Sequence, residues 1–540
     1  MRLAALELPV ASAGPSRRVL TALVVLVLAH VMLAWLTRIP EITWGEDDAV
    51  YSLLARALQS GSYREFWIID EPIHARYPPG LPALLAVLNL FFGERLDVHL
   101  ALMTLCSAAS LLLMFDVARR HVGADVALFA TGIMSLNPLW VSEAGLVMAE
   151  APFRLFLMLT MWLVTDRPGG RDHWVLASAS AVAAALIRTA GVAVIGALAL
   201  HWMLRREWNR VFLLSVAALP AVGWLAWTTI APNPDETGVY VHVVTVGDPR
   251  GRLTFAEQLA AGVWAYIRRA VPTGLSFFAL KENPLDNILW AGLAAATIPI
   301  GLVVLWRRWR FLVLFLASYA AVLLAWPWRD ARFVSPASGF VLVLVAVGTV
   351  ALARALRQRH HVVVLAAVAV LFMVGAWQAG APRVRAALAC DRTNPWESES
   401  CAPEDQRGMG QLAGHVRTST PPDAIFFAPK EGAFYYHTER RSIRDRRAVR
   451  THPDSFVTHL RRSGASYAVL TPVGINWTGH NRQLGYSCGA FELVQSFIGD
   501  ATLLRLESEE HAASDDSPAC AVAGAWKDGA PARWRERHLQ

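Results

Sequence analysis

The chain has 540 residues, of which 55% are apolar and only 17% charged, with 21 Trp and a mean hydropathy of +0.36. That balance excludes an ordinary soluble domain and points to a polytopic membrane protein. The net charge of +7 does not argue for a nucleic-acid partner, because much of the basic excess falls in short loops where anionic lipid accounts for it.

Apolar runs long enough to cross a hydrocarbon core, which takes about 20 helical residues, begin near residues 19, 97, 124, 149, 210, 286, 310, 333 and 361. The first follows Arg17 and Arg18 and ends in Leu36-Thr37-Arg38-Ile39-Pro40 without a small-x-small cleavage site, so it reads as an uncleaved anchor. Beyond it lies an acidic cluster, Glu46, Asp47 and Asp48, in Trp44-Gly45-Glu46-Asp47-Asp48-Ala49-Val50-Tyr51. The cluster leads into Ser52 to Leu58, expected to be an amphipathic helix lying along the membrane surface. Pro72-Ile73-His74-Ala75-Arg76-Tyr77-Pro78-Pro79-Gly80 then opens an apolar stretch, Gly80 to Phe92. This stretch is below spanning length and is expected to be an interfacial or re-entrant helix.

The run from Trp174 to Leu204 is too long for one span and holds Arg188-Thr189-Ala190-Gly191 at its middle, so it reads as two short helices joined by a tight external turn. The count becomes eleven spans. With the N-terminus inside, the cytoplasmic loops then hold Arg119/Arg120, Arg167/Arg171, Arg205/Arg206/Arg210, Arg307/Arg308/Arg310 and Arg354/Arg357/Arg359, all basic as the positive-inside bias requires. A single helix over 174–204 would put the last two clusters outside. The segment 231–285 is an external excursion too long for a simple connector. Within it, Leu253 to Val271 has helical apolar spacing and reads either as a lid or lipid-entry wall or as a passive surface helix.

From residue 381 the composition shifts to Pro, Asp, Glu, Arg and Ser, and the same parity places 381–540 outside. Strand-like stretches, Ala424 to Ala428 and Tyr467 to Leu470, interleave with helical ones, Met409 to Arg417 and Ser455 to Arg462, which suggests a small α/β domain. Four of the five cysteines lie here, and the first pairing to expect in an oxidising compartment is Cys390 with Cys401 and Cys488 with Cys520. Unpaired thiols are the alternative. Cys106, inside a span, reads as a small packing residue. The organisation is therefore a transmembrane domain over 1–380, with external loops 39–96 and 231–285, followed by an extracytoplasmic α/β domain over 381–540.

The acidic first loop, its following Tyr, and the Pro-Pro element before a juxtamembrane helix resemble the GT-C superfamily of integral-membrane glycosyltransferases. The likeness is to the family 39 group, which includes protein O-mannosyltransferases and lipid A aminoarabinose transferases. The family's Asp-Glu pair stands here as Asp47-Asp48, one arm shorter by a methylene. Asn137-Pro138 to Glu150-Ala151-Pro152-Phe153 is similar to the family's third-span exit, second external loop and acidic helix start. Ala185-Leu186-Ile187-Arg188-Thr189 is similar to its next external turn, and Arg332-Phe333-Val334-Ser335-Pro336 to its Arg-aromatic-x-x-Pro segment near the lipid phosphate.

The resemblance implies an inverting transfer of sugar from a polyprenyl-phosphate donor to an envelope lipid, glycan or protein acceptor at the external face of the inner membrane. Such a transfer needs a carboxylate to deprotonate the acceptor and cations to hold the departing phosphate. Asp47 is the candidate base, and Asp48 or Glu150 would orient the acceptor or bind a divalent metal. Arg332, with Arg76 or Arg188, would pair with phosphate oxygens. Tyr51, His74 and Tyr77 are candidate acceptor- or lipid-proximal residues. Arg188, Arg329 and Arg332 fall on the external side against the charge bias, so they require a specific partner.

Each residue has a plainer reading. Asp47 and Asp48 suit a helix N-terminus, Glu143 and Glu150 suit the membrane interface, and Glu150 also suits a helix start. Arg332 suits a snorkelling cation or a partner of Asp330, and the Trp and Tyr residues suit the interfacial aromatic belt. A transporter or flippase of lipid-linked glycans is the alternative class. It would be expected to place charges within spans and to show an inverted repeat. A ligase or polymerase of diphosphate-linked oligosaccharides would carry its main arginine-rich loop late in the chain.

Overall fold

The computed structural model describes residues 14–45, 47–165, 173–230, 255–278, 284–326, 328–356, 361–444, 453–473, 477–508 and 517–527. Glu46, Arg167, Arg171, Arg357, Arg359 and, of the 231–285 excursion, residues 231–254 and 279–283 lie outside the described residues. The chain divides into two compact units. One comprises Met1–Arg38, Ala75–Ala231 and Glu236–Arg385, and the other Ile39–His74, Pro232–Asp235 and Ala386–Gln540. The segment Ile39–His74, assigned by sequence order to the transmembrane domain, thus groups with the C-terminal region.

The first unit is helical. Among the described residues, five helices are long and apolar enough to cross a membrane, or seven if each of two bent pairs forms one span. Helices α1 (Arg17–Thr37), α2 (Asp47–Gln59, in the other unit), α3 (Gly80–Phe92), α4 (Leu96–Val122), α5 (Ala124–Ser135), α6 (Pro138–Ala144) and α7 (Glu150–Val164) follow in order. The α5–α6 pair bends by 63°. The bend has a local cause: Asn137 leaves the helix in extended conformation and its Oδ1 accepts from Leu139 N at 2.9 Å and Trp140 N at 3.1 Å, with Pro138 opening the new helix.

The long run from Trp174 breaks where Arg188 adopts an extended conformation, giving α8 (Trp174–Ile187), a short turn Thr189–Gly191 and α9 (Val192–Leu204). A side chain at Gly191 would lie 2.5 Å from the backbone of Ala184, so the turn closes only on glycine. A side chain at Gly80 would lie 2.6 Å from the Leu186 carbonyl oxygen, which seats the start of α3 on the end of α8.

Two further spans, Pro284–Arg308 and Ala331–Ala355, pack backbone to backbone. Side chains at Gly301 or Gly348 would collide with the Leu344 and Thr297 carbonyls across the contact. Without a hydrophobic drive between helices in lipid, such close approach through small residues is the main source of packing energy. The Ala331–Ala355 helix is buried along most of its length and carries Arg332 at its first turn.

The second unit holds a four-stranded sheet of order β1-β2-β4-β3, with β1 (Ile425–Phe427), β2 (Ala465–Leu470), β3 (Phe491–Ser496) and β4 (Thr502–Leu506). β1 and β2 run parallel, and the other pairs are antiparallel. The regions read as helical from the sequence are the helices Glu404–Ser419 and Pro453–Arg462. The core gathers Phe427, Phe456, Leu470, Leu484, Phe491 and Leu504 around the Cys488–Cys520 disulfide, and Cys390 bonds Cys401.

The first-loop segment extends this sheet. Phe426 N donates to the Arg441 carbonyl at 3.0 Å, Ser442 N to Trp67 O at 3.0 Å, and Ile69 N to Ser442 O at 3.1 Å. The free edge of β1 is therefore paired by Arg441–Ile443, and the outer side of that segment is paired in turn with Trp67–Ile69, some 370 positions earlier, as the Phe426–Ser442 and Ile68–Ser442 bridges show.

Candidate active site

In the first unit, three charged side chains converge. Glu150 opens α7 and its side chain is 2% exposed. Arg188, at the extended residue that ends α8, brings a guanidinium nitrogen to 2.5 Å from Glu150 Oε1, and Arg332 Nε lies 3.4 Å from the same oxygen. Both guanidinia lie over the Phe333 ring, at 5.4 Å and 5.5 Å. Asp330 caps the helix by accepting from Arg332 N at 2.8 Å, and Tyr319 donates its hydroxyl to the Phe333 carbonyl at 2.8 Å, so the backbone around Arg332 is fixed on both sides. Together the trio carries one net positive charge, and the Arg332 side chain remains 37% exposed. Two planar guanidinia held on a common ring and a common carboxylate are suited to receive an oxyanion.

One turn deeper the same two helices meet again. Arg154, four residues after Glu150, is wholly buried and ion-paired with Glu143. Ser335 Oγ donates to Glu143 Oε2 at 2.6 Å and accepts from Arg154 at 2.9 Å. The Arg154 guanidinium also lies 4.3 Å from the Trp140 ring centroid, and Trp140 Nε1 donates to Ser338 Oγ at 2.9 Å. The network ends at His30 in α1, whose Nδ1 donates to the Ser135 carbonyl at 2.9 Å, leaving Nε2 to accept from Ser107 Oγ at 2.8 Å. Glu143 is therefore not an ordinary interfacial charge. Removing one member of such a pair leaves a buried charge uncompensated, a loss of roughly 3–5 kcal/mol. The sequence signal for it is Arg154 itself, a cation inside the otherwise apolar helix α7.

Arg76 and Tyr77, also in this unit, form a pair of their own, with the guanidinium 5.0 Å from the ring centroid.

In the second unit, the acidic helix begins at Asp47, but the surface-lying helix expected over Ser52 to Leu58 is not what forms. α2 is buried continuously from Asp48 to Ala55, polar Ser52 included. It packs on the helix Glu431–Thr438, where Gly432 makes room for Val50: an added side chain would lie 2.6 Å from Val50 Cγ2. Asp48 is 2% exposed, and both of its oxygens accept from backbone, Oδ2 from Thr43 N at 2.7 Å and Oδ1 from Ala49 N at 3.0 Å. Burial pushes its carboxyl up to about 6 against the pull of these hydrogen bonds. Asp48 thus anchors the helix start, and Asp47 is the less buried of the two.

Tyr51 is buried in α2, and Trp44 is 1% exposed, so neither behaves as an interfacial belt residue. His74 donates Nδ1–H to Glu65 Oε1 at 2.8 Å, Glu65 also pairs with Arg444, and the Tyr63 ring meets His74 edge-on at 5.6 Å. Those contacts give His74 a structural task. Among the described residues no three His, Cys, Asp or Glu side chains gather as a metal site.

The family described as dolichyl-phosphate-mannose-protein mannosyltransferase matches residues 76–233. No curated protein matches the chain by sequence. Among solved structures, ArnT from Cupriavidus metallidurans bound to undecaprenyl phosphate is similar with a TM-score of 0.54 at 14% identity, covering 91% of this chain and 98% of that one. The Archaeoglobus fulgidus oligosaccharyltransferase in complex with Zn and sulfate is similar with a TM-score of 0.53 at 12% identity, covering 91% and 76%. The same enzyme tethered to an acceptor peptide gives 0.52 at 14% identity, covering 97% and 81%. At these identities the likeness shows the fold, and that fold is the GT-C one.

The Asp48 carboxyl, raised from 3.8 to about 6, is harder to ionise in the folded chain than in the unfolded one. Its contribution to stability is therefore present below the ordinary carboxyl range and is lost as pH rises through about 6. The size is about 3 kcal/mol at most. Thermal unfolding of the native chain and of Asp48→Asn, compared from about pH 4 to about pH 7, is expected to show the native chain losing ground to the variant as pH rises. Parallel curves would mean that Asp48 ionises as it does in water.

Proposed function

We propose that the chain is a glycosyltransferase that moves a sugar from a polyprenyl-phosphate donor to an envelope lipid, glycan or protein acceptor, with inversion at the anomeric carbon. The observation that carries this reading is the convergence of Arg188 and Arg332 on Glu150, with Arg332 partly exposed. A departing lipid phosphate develops charge on its oxygens, and pre-placed guanidinia stabilise that charge without reorganising. Arg332 and Arg188 take this role, with Arg76 assisting. Glu150 holds both guanidinia in register while no phosphate is present and orients the acceptor when it is. Asp47 is the base that removes the acceptor proton, while Asp48 fixes the helix start from which Asp47 projects. The likeness to a structure holding undecaprenyl phosphate supports a lipid-phosphate donor.

Eleven spans, a cytoplasmic N-terminus and an external 381–540 region complete the proposal, with catalysis at the external face of the inner membrane. A second reading, a transporter of lipid-linked glycans, draws on the buried Glu143–Arg154–His30 network, since ionisable groups among apolar helices often mark a translocation path. Those groups are bonded to one another and to serines, which favours a fixed scaffold.

Purified protein assayed with a polyprenyl-phosphate sugar separates the roles. Asp47→Asn should lower turnover about 10²-fold or more with donor binding retained. Arg332→Ala should weaken donor binding by about 2 kcal/mol. Near-native transfer by Asp47→Asn would remove Asp47 as the base, and unchanged donor binding by Arg332→Ala would remove the phosphate assignment. Reporter fusions after Arg308 and at the C-terminal end test topology, with a cytoplasmic signal expected from the first and an external signal from the second. A cytoplasmic signal from the C-terminal end would reverse the orientation.

A further inference from the structure

The turn that precedes the acidic helix is held at three successive points by side chains of the C-terminal region. His437 donates Nε2–H to the Ile42 carbonyl at 3.0 Å, and its ring stacks on Trp44 at 4.7 Å between centroids. Lys430 Nζ donates to the Gly45 carbonyl at 3.2 Å. Between those points, Thr43 N is the donor that fixes Asp48 Oδ2. The position of this turn therefore sets the position of the helix that starts at Asp47.

A third ring closes the aromatic group. Trp396 meets His437 edge-on at 5.7 Å and Trp44 at 6.4 Å. It sits in a stretch without helix or strand that the Cys390–Cys401 bond closes into a loop with a sequence separation of 11. Within that loop Thr393 N donates to Asp391 Oδ1 at 2.9 Å and Glu397 N to the Asn394 carbonyl at 3.1 Å. On its other side Trp396 lies so close to Gly410, in the helix Glu404–Ser419, that any side chain there would collide with the indole. Trp396 is thus wedged between a helix of the C-terminal region and the Trp44 turn.

We propose that the disulfide-closed Cys390–Cys401 loop is a clamp whose Trp396 holds the Trp44 turn, and that Trp396 and His437 are positioning residues for Asp47. The inference rests on the reading of Asp47 as the base. A loop closed by a covalent bond limits how far Trp396 can withdraw, so the turn keeps one arrangement. Opening the bond lets the indole leave, which frees Trp44, loosens the Thr43–Asp48 bond and lets the first turn of α2 fray.

Hydrogen exchange read by mass spectrometry on the full-length chain tests the clamp without reference to activity. Trp396→Ala and the double variant Cys390→Ser/Cys401→Ser should each speed exchange over residues 42–52 by about tenfold or more, with β2 and β4 unchanged. Trp396→Phe, which keeps a ring in the wedge, should stay near native. Sugar transfer by Trp396→Ala should fall about tenfold in turnover with the donor KM nearly unchanged. Native exchange over 42–52 in Trp396→Ala overturns the clamp, and so does faster exchange throughout the sheet, which would make Trp396 a general fold contact. Locally faster exchange with native turnover overturns the positioning role. A native chain that transfers no sugar refutes the proposed function instead, while the exchange data still decide the clamp.

Discussion

A carboxylate buried to 2% exposure cannot stand alone among apolar helices, and Glu150 is stabilised there by two guanidinia that approach the same oxygen. That requirement ties together three parts of the helical unit that are remote in sequence: the start of α7, the extended residue ending α8, and the first turn of Ala331–Ala355. Each part has its own local reason to stop or start at that point. Pro152 suits a first turn, Gly191 permits the sharp return after Arg188, and Asp330 caps the helix that presents Arg332. One turn below, Glu143, Arg154 and Ser335 repeat the pattern in full burial, so the charged trio rests on a rigid polar layer.

The second unit solves a different problem. Its acidic helix is short, carries two adjacent carboxylates and would not be stable alone. Burial against the Glu431–Thr438 helix, the Asp48 hydrogen bonds and the stacked Trp44–His437 rings supply the fixation. The two aspartates are thereby distinguished by environment: Asp48 is buried with both oxygens on backbone donors, and Asp47 is the less buried of the two.

What was legible in the sequence follows the range of the physics involved. The break at Arg188–Gly191 could be read because an apolar run longer than a bilayer cannot remain one helix, and the short α3 could be read for the opposite reason. Arg188 and Arg332 stood out because they oppose the charge bias, and the structure brings both to Glu150. Cysteine spacing suggested the pairs that are seen. By contrast, the pairing of Trp67–Ile69 with Ser442 leaves no local trace, since a strand edge accepts any extended backbone. The amphipathic pattern of Ser52 to Leu58 suggests a membrane surface because the helix Glu431–Thr438 that packs on α2 comes from far along the chain. The Glu143–Arg154 pair is not evident from the sequence, because its members lie on separate helices, α6 and α7, that only the fold opposes.

The central claim is that the Glu150, Arg188 and Arg332 trio receives a lipid phosphate. A structure of the full-length chain with a polyprenyl phosphate bound addresses it directly. The phosphate oxygens are expected within about 3 Å of the Arg332 and Arg188 guanidinia, with Glu150 displaced from at least one of them. A lipid phosphate bound elsewhere, with both arginines still engaged on Glu150, would contradict it.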